Sequence, residues 1–316
     1  MIKKTQISKK TTILIVTING YISMKTIKNL HKSYKIIIIE NNNNLTLKKK
    51  LGNGFKNIDI FVSKKNLGFG GGNNFGLKKV KTPYVLILNP DVEISKKDVE
   101  MFENFSKKIK DFSILTALIK DFKKMIDTRF DKIDKNQTNI NISREISKIS
   151  WVPEWCMFCK LKDLKGINYF DEKYFLYFEG LDLCKRLRDK GKIFYLIKQI
   201  KIKHLFAGTA RNLNKEKELS HWRLRFWHFY WSSFYYHKKH YGYLRSFFIH
   251  ISKLLRFFIK MNYLYFINRN NYDYLTTKAK FNGILSQIAI LVEPEALNHA
   301  LELNKKYRAV YLSNGH

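Results

Sequence analysis

Apolar and polar positions fall into blocks along roughly the first ninety residues, and the blocks repeat one form: a short β-branched run, a polar turn, then a helical stretch. Ile13-Leu14-Ile15-Val16-Thr17, Lys35-Ile36-Ile37-Ile38-Ile39, Ile58-Asp59-Ile60-Phe61-Val62 and Tyr84-Val85-Leu86-Ile87-Leu88 read as four strands. Runs this continuously apolar, alternating with helices, predict a mostly parallel sheet covered on both faces. In such a sheet the ligand sits beyond the carboxyl ends of the strands. The four strands are followed by Asn19, by Glu40-Asn41-Asn42, by Asn66 to Asn74, and by Asn89-Pro90-Asp91. All are polar and turn-forming, and all converge on one edge.

Beyond that repeat the pattern loosens. Residues 120 to about 150 are polar and poor in periodicity, which predicts a loop region. A strand is expected around Trp151 to Leu161, then a helix from about Glu179 to Lys190 closed by Gly191, then two short strands leading to His204. From Leu219 to Tyr272 there is no Asp or Glu, yet there are nine Lys or Arg, five His and nineteen aromatics. Within Leu244 to Met261, at about 100° per residue, Arg245, Lys253, Arg256 and Lys260 cluster in roughly a quarter of the helical wheel. Phe247, Phe248, Ile251, Leu254, Leu255, Phe258 and Ile259 take most of the opposite side. A basic face against an apolar one suits a helix lying on anionic lipid. The expected division is an α/β domain over residues 1–215 and a helical, basic and aromatic extension over 216–316. Residues 293–316 have ordinary helix composition and suggest no role.

Composition changes this picture in two places. The net charge of +33, from 59 Lys and Arg against 26 Asp and Glu, points to an anionic partner. Much of that excess is Lys accompanied by Ile, Asn, Phe and Tyr, as an AT-rich genome writes into neutral positions. The three cysteines are too few and odd in number for a disulfide framework, which suits a reducing compartment. Cys156 and Cys159 form a lone C-x-x-C inside an apolar run, a core pattern and not a zinc or redox one. The basic N-terminus is followed by an apolar run too short for a signal peptide, and no stretch of 18 apolar residues suggests a membrane span. A cytoplasmic protein, peripheral on the inner face of the plasma membrane, is expected.

The chemistry concentrates in three ordered motifs. Asn89-Pro90-Asp91 places a carboxylate at the edge of the sheet, although the same tripeptide also makes a plain type I turn. The glycine-rich run Asn66-Leu67-Gly68-Phe69-Gly70-Gly71-Gly72-Asn73-Asn74-Phe75-Gly76 allows close approach of backbone to a ligand ahead of a helix. Its spacing does not fit G-x-G-x-x-G, so a dinucleotide-binding fold is not supported. The third motif is Tyr174-Phe175-Leu176-Tyr177-Phe178-Glu179-Gly180-Leu181-Asp182-Leu183-Cys184. Together, over residues 11 to about 210, they resemble the family 2 glycosyltransferases, particularly the rhamnosyltransferase-like branch.

The resemblance implies a GT-A fold and inverting transfer of a hexose or deoxyhexose from a dTDP- or UDP-linked donor to a glycan or lipid-linked acceptor. It makes Asp91 a ligand of Mg²⁺ or Mn²⁺, with Asn89 in support and His204 approaching the metal or diphosphate. It assigns Thr17, Asn19 and Glu40 to the nucleoside, and Asn66, Gly68, Asn73 and Asn74 to the same pocket. Trp151, Glu154 and Trp155 border the acceptor, with Glu154 standing where the family usually has glycine. The family carries adjacent acids at positions 179 and 180, the second credited as base, and here the second is Gly180. Glu179 and Asp182 remain, three apart at a helix start and on about one face. The aromatic lead-in shields Glu179 more, which makes it the expected base and Asp182 a supporting or acceptor-binding residue. Two rival readings are a nucleic-acid-binding protein with aromatic platforms, which leaves the ordered motifs unexplained, and an inactive sugar-binding relative.

Overall fold

A computed structural model of the chain describes residues 7–51, 54–55, 57–120, 140–141, 145–205 and 215–289. The four expected strands are present as β1 (Thr11–Thr17), β2 (Lys35–Glu40), β3 (Ile58–Val62) and β4 (Tyr84–Leu88). Between them lie α1 (Met24–Leu30), α2 (Thr46–Leu51) and α3 (Gly68–Leu77). After β4 come β5 (Val92–Glu93), α4 (Lys96–Lys108), β6 (Phe112–Ile119), β7 (Ile140–Asn141), β8 (Ile146–Ile149) and β9 (Cys156–Lys160). Then follow α5 (Leu161–Lys165), α6 (Glu179–Asp189), β10 (Ile193–His204), α7 (Lys215–Tyr241), α8 (Tyr243–Asn268) and α9 (Tyr272–Ala289).

The chain divides into two compact units, one of Met1–Glu172 with Gly180–Thr209, the other of Lys173–Glu179 with Ala210–His316. The first holds a sheet in the order β3-β2-β1-β4-β9-β6-β10-β8-β7, with β5 pairing β10. The expectation of a mostly parallel sheet holds for its first four strands only. Beyond β4 the sheet is mixed, because β9 runs antiparallel to both β4 and β6. The sheet is buried on both faces, and successive residues of one strand feed opposite cores. Ile13, Ile15, Ile36, Ile38, Leu86 and Leu88 meet Ile27 of α1 and Phe102 of α4 on one side. Leu14, Val16, Ile37, Ile39, Val85 and Ile87 meet Leu77 of α3 and Leu183 of α6 on the other. Period two along a strand dictates this split, and it explains why these strands carry no polar face. It also settles the C-x-x-C pair, since Cys156 belongs to the first core and Cys159 to the second.

Three local readings need correction. The expected pair of short strands before His204 is one twelve-residue strand, β10, whose pairing with β6 shifts register between Ile193 and Phe194 and between Ile197 and Lys201. The polar segment near 150 is not wholly loop. Ile146–Ile149 pairs with β10, and Ile140–Asn141 with β8, while residues 121–139 lie outside the described residues. The glycine run does not precede a helix; it is the helix. α3 is buried along most of its length, and a Cβ on Gly76 would collide with Leu14 Cδ1. One on Gly72 would stand 2.7 Å from Val16 Cγ1. The low helix propensity of glycine is accepted here because only a bare backbone can lie that close to β1.

The second unit is helical. Gly242, at φ +87°, separates α7 from α8. A buried polar staple joins the two helices: Ser246 Oγ donates to the Phe234 carbonyl at 2.9 Å, and Ser233 Oγ lies 2.9 Å from His250 Nε2. No helix of the described residues is long and apolar enough to cross a membrane. Residues 293–316 lie outside the described residues.

The packing of α3 generates a stability prediction. Gly76→Ala must push α3 off β1 and is expected to destabilise the first unit by about 1–3 kcal/mol, whereas alanine at an exposed glycine-free helix site would be near neutral. Urea unfolding followed by tryptophan fluorescence measures the difference, and an unchanged or raised midpoint refutes the close-approach explanation.

Candidate active site

The carboxyl edge of the parallel strands is built from backbone turns that aim polar groups at one another. After β1, Asn19 and Gly20 both adopt left-handed backbone, φ 59° and 70°. This reverses the chain so that the Gly20 N–H donates to Glu40 Oε2 at 2.9 Å. Thr17 Oγ1 donates to the Tyr21 carbonyl within the same turn, and Asn42 Nδ2 donates to Asn19 Oδ1 at 2.6 Å. Glu40 itself is 0% exposed, and its Oε1 has no hydrogen-bond partner among the described residues. Burial pushes its carboxyl up to about 7, against the opposing pull of the Gly20 and Asn19 N–H groups.

The next turn was only partly legible. Asn41 directs it: its Nδ2 donates to Asn66 Oδ1 at 3.2 Å and to the Gly68 carbonyl at 2.8 Å. Its Oδ1 accepts the Leu67 N–H at 3.1 Å. Asn66 Oδ1 also accepts from the Gly68 N–H at 2.9 Å, where Gly68 has φ +75°. The expected pocket residues Asn73 and Asn74 face inward along α3. Asn73 Nδ2 donates to the Phe69 carbonyl. Asn74 holds the Phe170 backbone from both sides, N–H to Oδ1 at 3.0 Å and Nδ2 to carbonyl at 2.9 Å, and its Nδ2 also reaches Glu172 Oε1.

β4 delivers Asn89-Pro90-Asp91, and long-range pairing completes it. The Asn89 N–H donates to the Trp155 carbonyl at 3.0 Å, the Pro90 carbonyl accepts from Ser23, and the Leu205 N–H donates to the Asp91 carbonyl at 3.0 Å. β5 pairs antiparallel with the end of β10, setting Val92 opposite His204. His204 Nε2 thereby stands 3.4 Å from Asp91 Oδ1 and 3.4 Å from Asn89 Nδ2. Burial lowers the His204 pKa, with Asp91 pulling the other way. A neutral imidazole beside a carboxylate is a pair that could hold a cation. The Trp155 ring meets the imidazole edge-on at 6.0 Å, and its Nε1 has no hydrogen-bond partner among the described residues.

The remaining expected residues separate. Trp151 packs against the core on the α3–α6 face. Glu154 is partly exposed and its Oε1 accepts the Gly180 N–H at 2.5 Å. Asp182 is fully buried and bound to Arg186 at 2.7 Å. Arg186 is itself held by the Ile167 and Tyr169 carbonyls, so Asp182 is locked inside the first unit as part of its framework. Glu179 is 1% exposed and follows Tyr177 and Phe178, both at φ 68°, a left-handed pair unusual for bulky side chains.

The profile described as Glycosyl transferase family 2 matches residues 17–158, a span that runs from Thr17 through the Asn89-Pro90-Asp91 turn to β9. The chain is also 30% identical to rhamnosyltransferase WbbL of Escherichia coli, over 53% of this chain and 72% of that protein. It belongs to glycosyl transferase family 2. It is 24% identical to the low-salt glycan biosynthesis hexosyltransferase Agl10 of Haloferax volcanii, over 55% of this chain and 61% of that one. Residues 1–349 of S. aureus TarS in complex with UDP share its fold, with a TM-score of 0.50 at 11% identity over 88% of this chain and 91% of that one.

Glu40 generates a pH prediction. Its carboxyl rises from an ordinary 4.5 to about 7 on folding, so its favourable contribution is complete below 4.5 and disappears as pH rises through 7. Glu40→Gln keeps an acceptor for Gly20 and loses the charge. The variant is expected to match wild type near pH 4.5 and to exceed its stability by about 2 kcal/mol at pH 8. Urea unfolding at the two pH values tests this, and a difference independent of pH refutes it.

Proposed function

We propose that the chain is an inverting, metal-dependent glycosyltransferase of GT-A type. On this reading it moves a hexose or deoxyhexose from a UDP- or dTDP-linked donor to a surface-glycan or lipid-linked acceptor. The observation that carries the reading is the meeting of Asp91 and His204, 113 positions apart in sequence, at 3.4 Å on the edge where buried polar atoms stand without partners. Glu40 Oε1, Asn42 Oδ1 and Trp155 Nε1 are those atoms, and buried polar groups are otherwise nearly always satisfied. The two relatives named for rhamnosyl and hexosyl transfer support the sugar class.

The donor set fits a divalent ion. Cis ligands on an octahedral ion with bonds of about 2.1 Å stand about 3 Å apart, close to the Asp91–His204 spacing. Among the described residues no third His, Cys, Asp or Glu joins them; diphosphate oxygens and water would complete the shell of Mg²⁺ or Mn²⁺. When bound, the ion neutralises charge developing on the leaving diphosphate. Thr17, Asn19 and Glu40 hold the nucleoside, and Asn89 orients His204. Trp155 offers its indole N–H to the diphosphate.

A second reading concerns the helical unit. α8 divides into three sectors, not two. Phe257 packs on Tyr230 of α7, and Ser246 and His250 are buried. Leu244, Phe248, Leu255, Ile259 and Phe266 form an exposed stripe, with Phe266 85% exposed. Arg245, Arg256 and Lys260 are exposed and flank that stripe on the wheel. An exposed apolar stripe edged by cations, with no acid from Leu219 to Tyr272, suits an anionic membrane surface and a lipid-linked acceptor, not nucleic acid. It gives the protein a peripheral place on the cytoplasmic face of the plasma membrane.

Asp91→Asn is expected to lower nucleoside diphosphate release from a panel of UDP- and dTDP-sugars by at least 100-fold with the fold intact by circular dichroism. Full activity of the wild type in excess chelator would sink the metal assignment. For the helix, sedimentation with phosphatidylglycerol vesicles but not phosphatidylcholine vesicles is expected, and Phe248→Ser with Ile259→Ser should abolish it. Equal failure to bind both kinds of vesicle counts against the membrane reading.

A further inference from the structure

Transfer with inversion needs a base at the acceptor hydroxyl. The carboxylates of the first unit that the sequence singles out are not equally able to serve. Asp182 is fully buried and committed to Arg186 at 2.7 Å. Asp91 faces His204. Glu40 is buried in the Asn19–Gly20 turn at 0% exposure. Glu154 differs from all three, being partly exposed, and its only hydrogen bond among the described residues runs from the Gly180 N–H to Oε1 at 2.5 Å. Oε2 therefore remains for a ligand.

Position 180 explains how that carboxylate is held. A Cβ at Gly180 would overlap Glu154 Oε1, Cγ and Cδ. No side chain fits at 180 while Glu154 keeps its place, so the glycine is the space the carboxylate occupies. Glu154 enters that space from the segment before β9, and the next residue, Trp155, accepts the Asn89 N–H at 3.0 Å and lies against His204. Along the chain, Glu154 immediately precedes the residue whose carbonyl anchors the Asn89-Pro90-Asp91 turn. The first turn of α6 fixes its oxygen, and an N–H at a helix start favours the ionised form that a base requires.

We propose that Glu154, seated in the cavity left by Gly180, is the general base of the sugar transfer, a role that rests on the glycosyltransferase reading above. Its Oε2 accepts the proton of the acceptor hydroxyl as that oxygen bonds to the anomeric carbon. The bond from that carbon to the diphosphate oxygen breaks, and the electron pair leaves with the nucleoside diphosphate. The carboxylic acid then returns its proton to water. Burial pushes the Glu154 carboxyl up to about 7, with the Gly180 N–H opposing, and a base works best near the operating pH.

The test separates a base from a helix cap. Glu154→Gln keeps an acceptor for the Gly180 N–H and removes the proton acceptor. It is expected to bind UDP with Mn²⁺ as wild type does by calorimetry, while nucleoside diphosphate release with octyl glycosides as acceptors falls about 100- to 10,000-fold. Glu154→Ala leaves a cavity the size of a small carboxylate, and added formate should restore release several-fold, which no capping role predicts. Release by Glu154→Gln within threefold of wild type overturns the assignment, as does a Glu154→Ala enzyme that binds UDP yet gains nothing from formate. A wild type that neither binds UDP or dTDP nor cleaves any sugar nucleotide instead overturns the glycosyltransferase reading itself.

Discussion

The site depends on a two-residue ladder. Val92 and Glu93 pair with His204 and Lys203, and the Asp91 carbonyl accepts the Leu205 N–H one step further on. Without that pairing the turn after β4 would present a lone carboxylate, and His204 would be an ordinary histidine at a strand end. The ladder is possible because β10 is long: twelve residues carry it past β6 and beyond the edge of the sheet. The register shifts along β10 re-aim the strand as bulges do, so that its last residues reach β5 instead of continuing the β6 pairing.

The strands of the first ninety residues are legible because near-continuous apolar runs mark them, buried almost throughout in β1, β2 and β4 and half-buried in β3, where Asp59 interrupts the run. Ile58–Val62 and Tyr84–Leu88 match the sequence reading residue for residue. The glycine helix was not legible, since propensity argues against a helix through Gly70, Gly71 and Gly72. What overrides propensity is a contact with Leu14 and Val16, residues more than fifty positions away. The same holds for β9, whose antiparallel course makes the sheet mixed. Its apolar run reads as a strand, but no local pattern states its direction. Asn41 was visible as a polar residue after a strand, while its task, clamping Asn66 and Gly68, emerges only from the turn it closes.

Site residues divide along the same line. The candidates at strand ends, Glu40 and Asp91, are marked by position alone, because ligands of open α/β sheets sit beyond the strand ends. Those that depend on a partner are not. Asp182, four residues before Arg186 at the start of a helix, suits an ion pair or a helix cap as well as a part in the site. Burial of Asp182 and the two carbonyls gripping Arg186 decide for framework. The helical wheel of α8 failed in an instructive way. It separates apolar from basic residues correctly, yet it cannot divide the apolar half into the part that α7 covers, such as Phe257, and the part left in solvent, such as Phe248.

Glu154 and Gly180 carry this furthest. Taken singly, an acid where a glycine is usual and a glycine where an acid is usual are two defects at unrelated positions. In three dimensions they are one feature, because the carboxyl of the first fills the volume the second lacks. Two carboxylates of the same unit then titrate near neutrality for one physical reason, burial, while different geometry gives them different work. Glu40 is enclosed by the Asn19–Gly20 turn, and its buried Oε1 has no hydrogen-bond partner among the described residues. Glu154 is anchored through Oε1 by the Gly180 N–H and is partly exposed as a residue. One carboxyl held fully enclosed and one held by a single anchored oxygen are environments suited to different tasks, even when both hold the group near the operating pH.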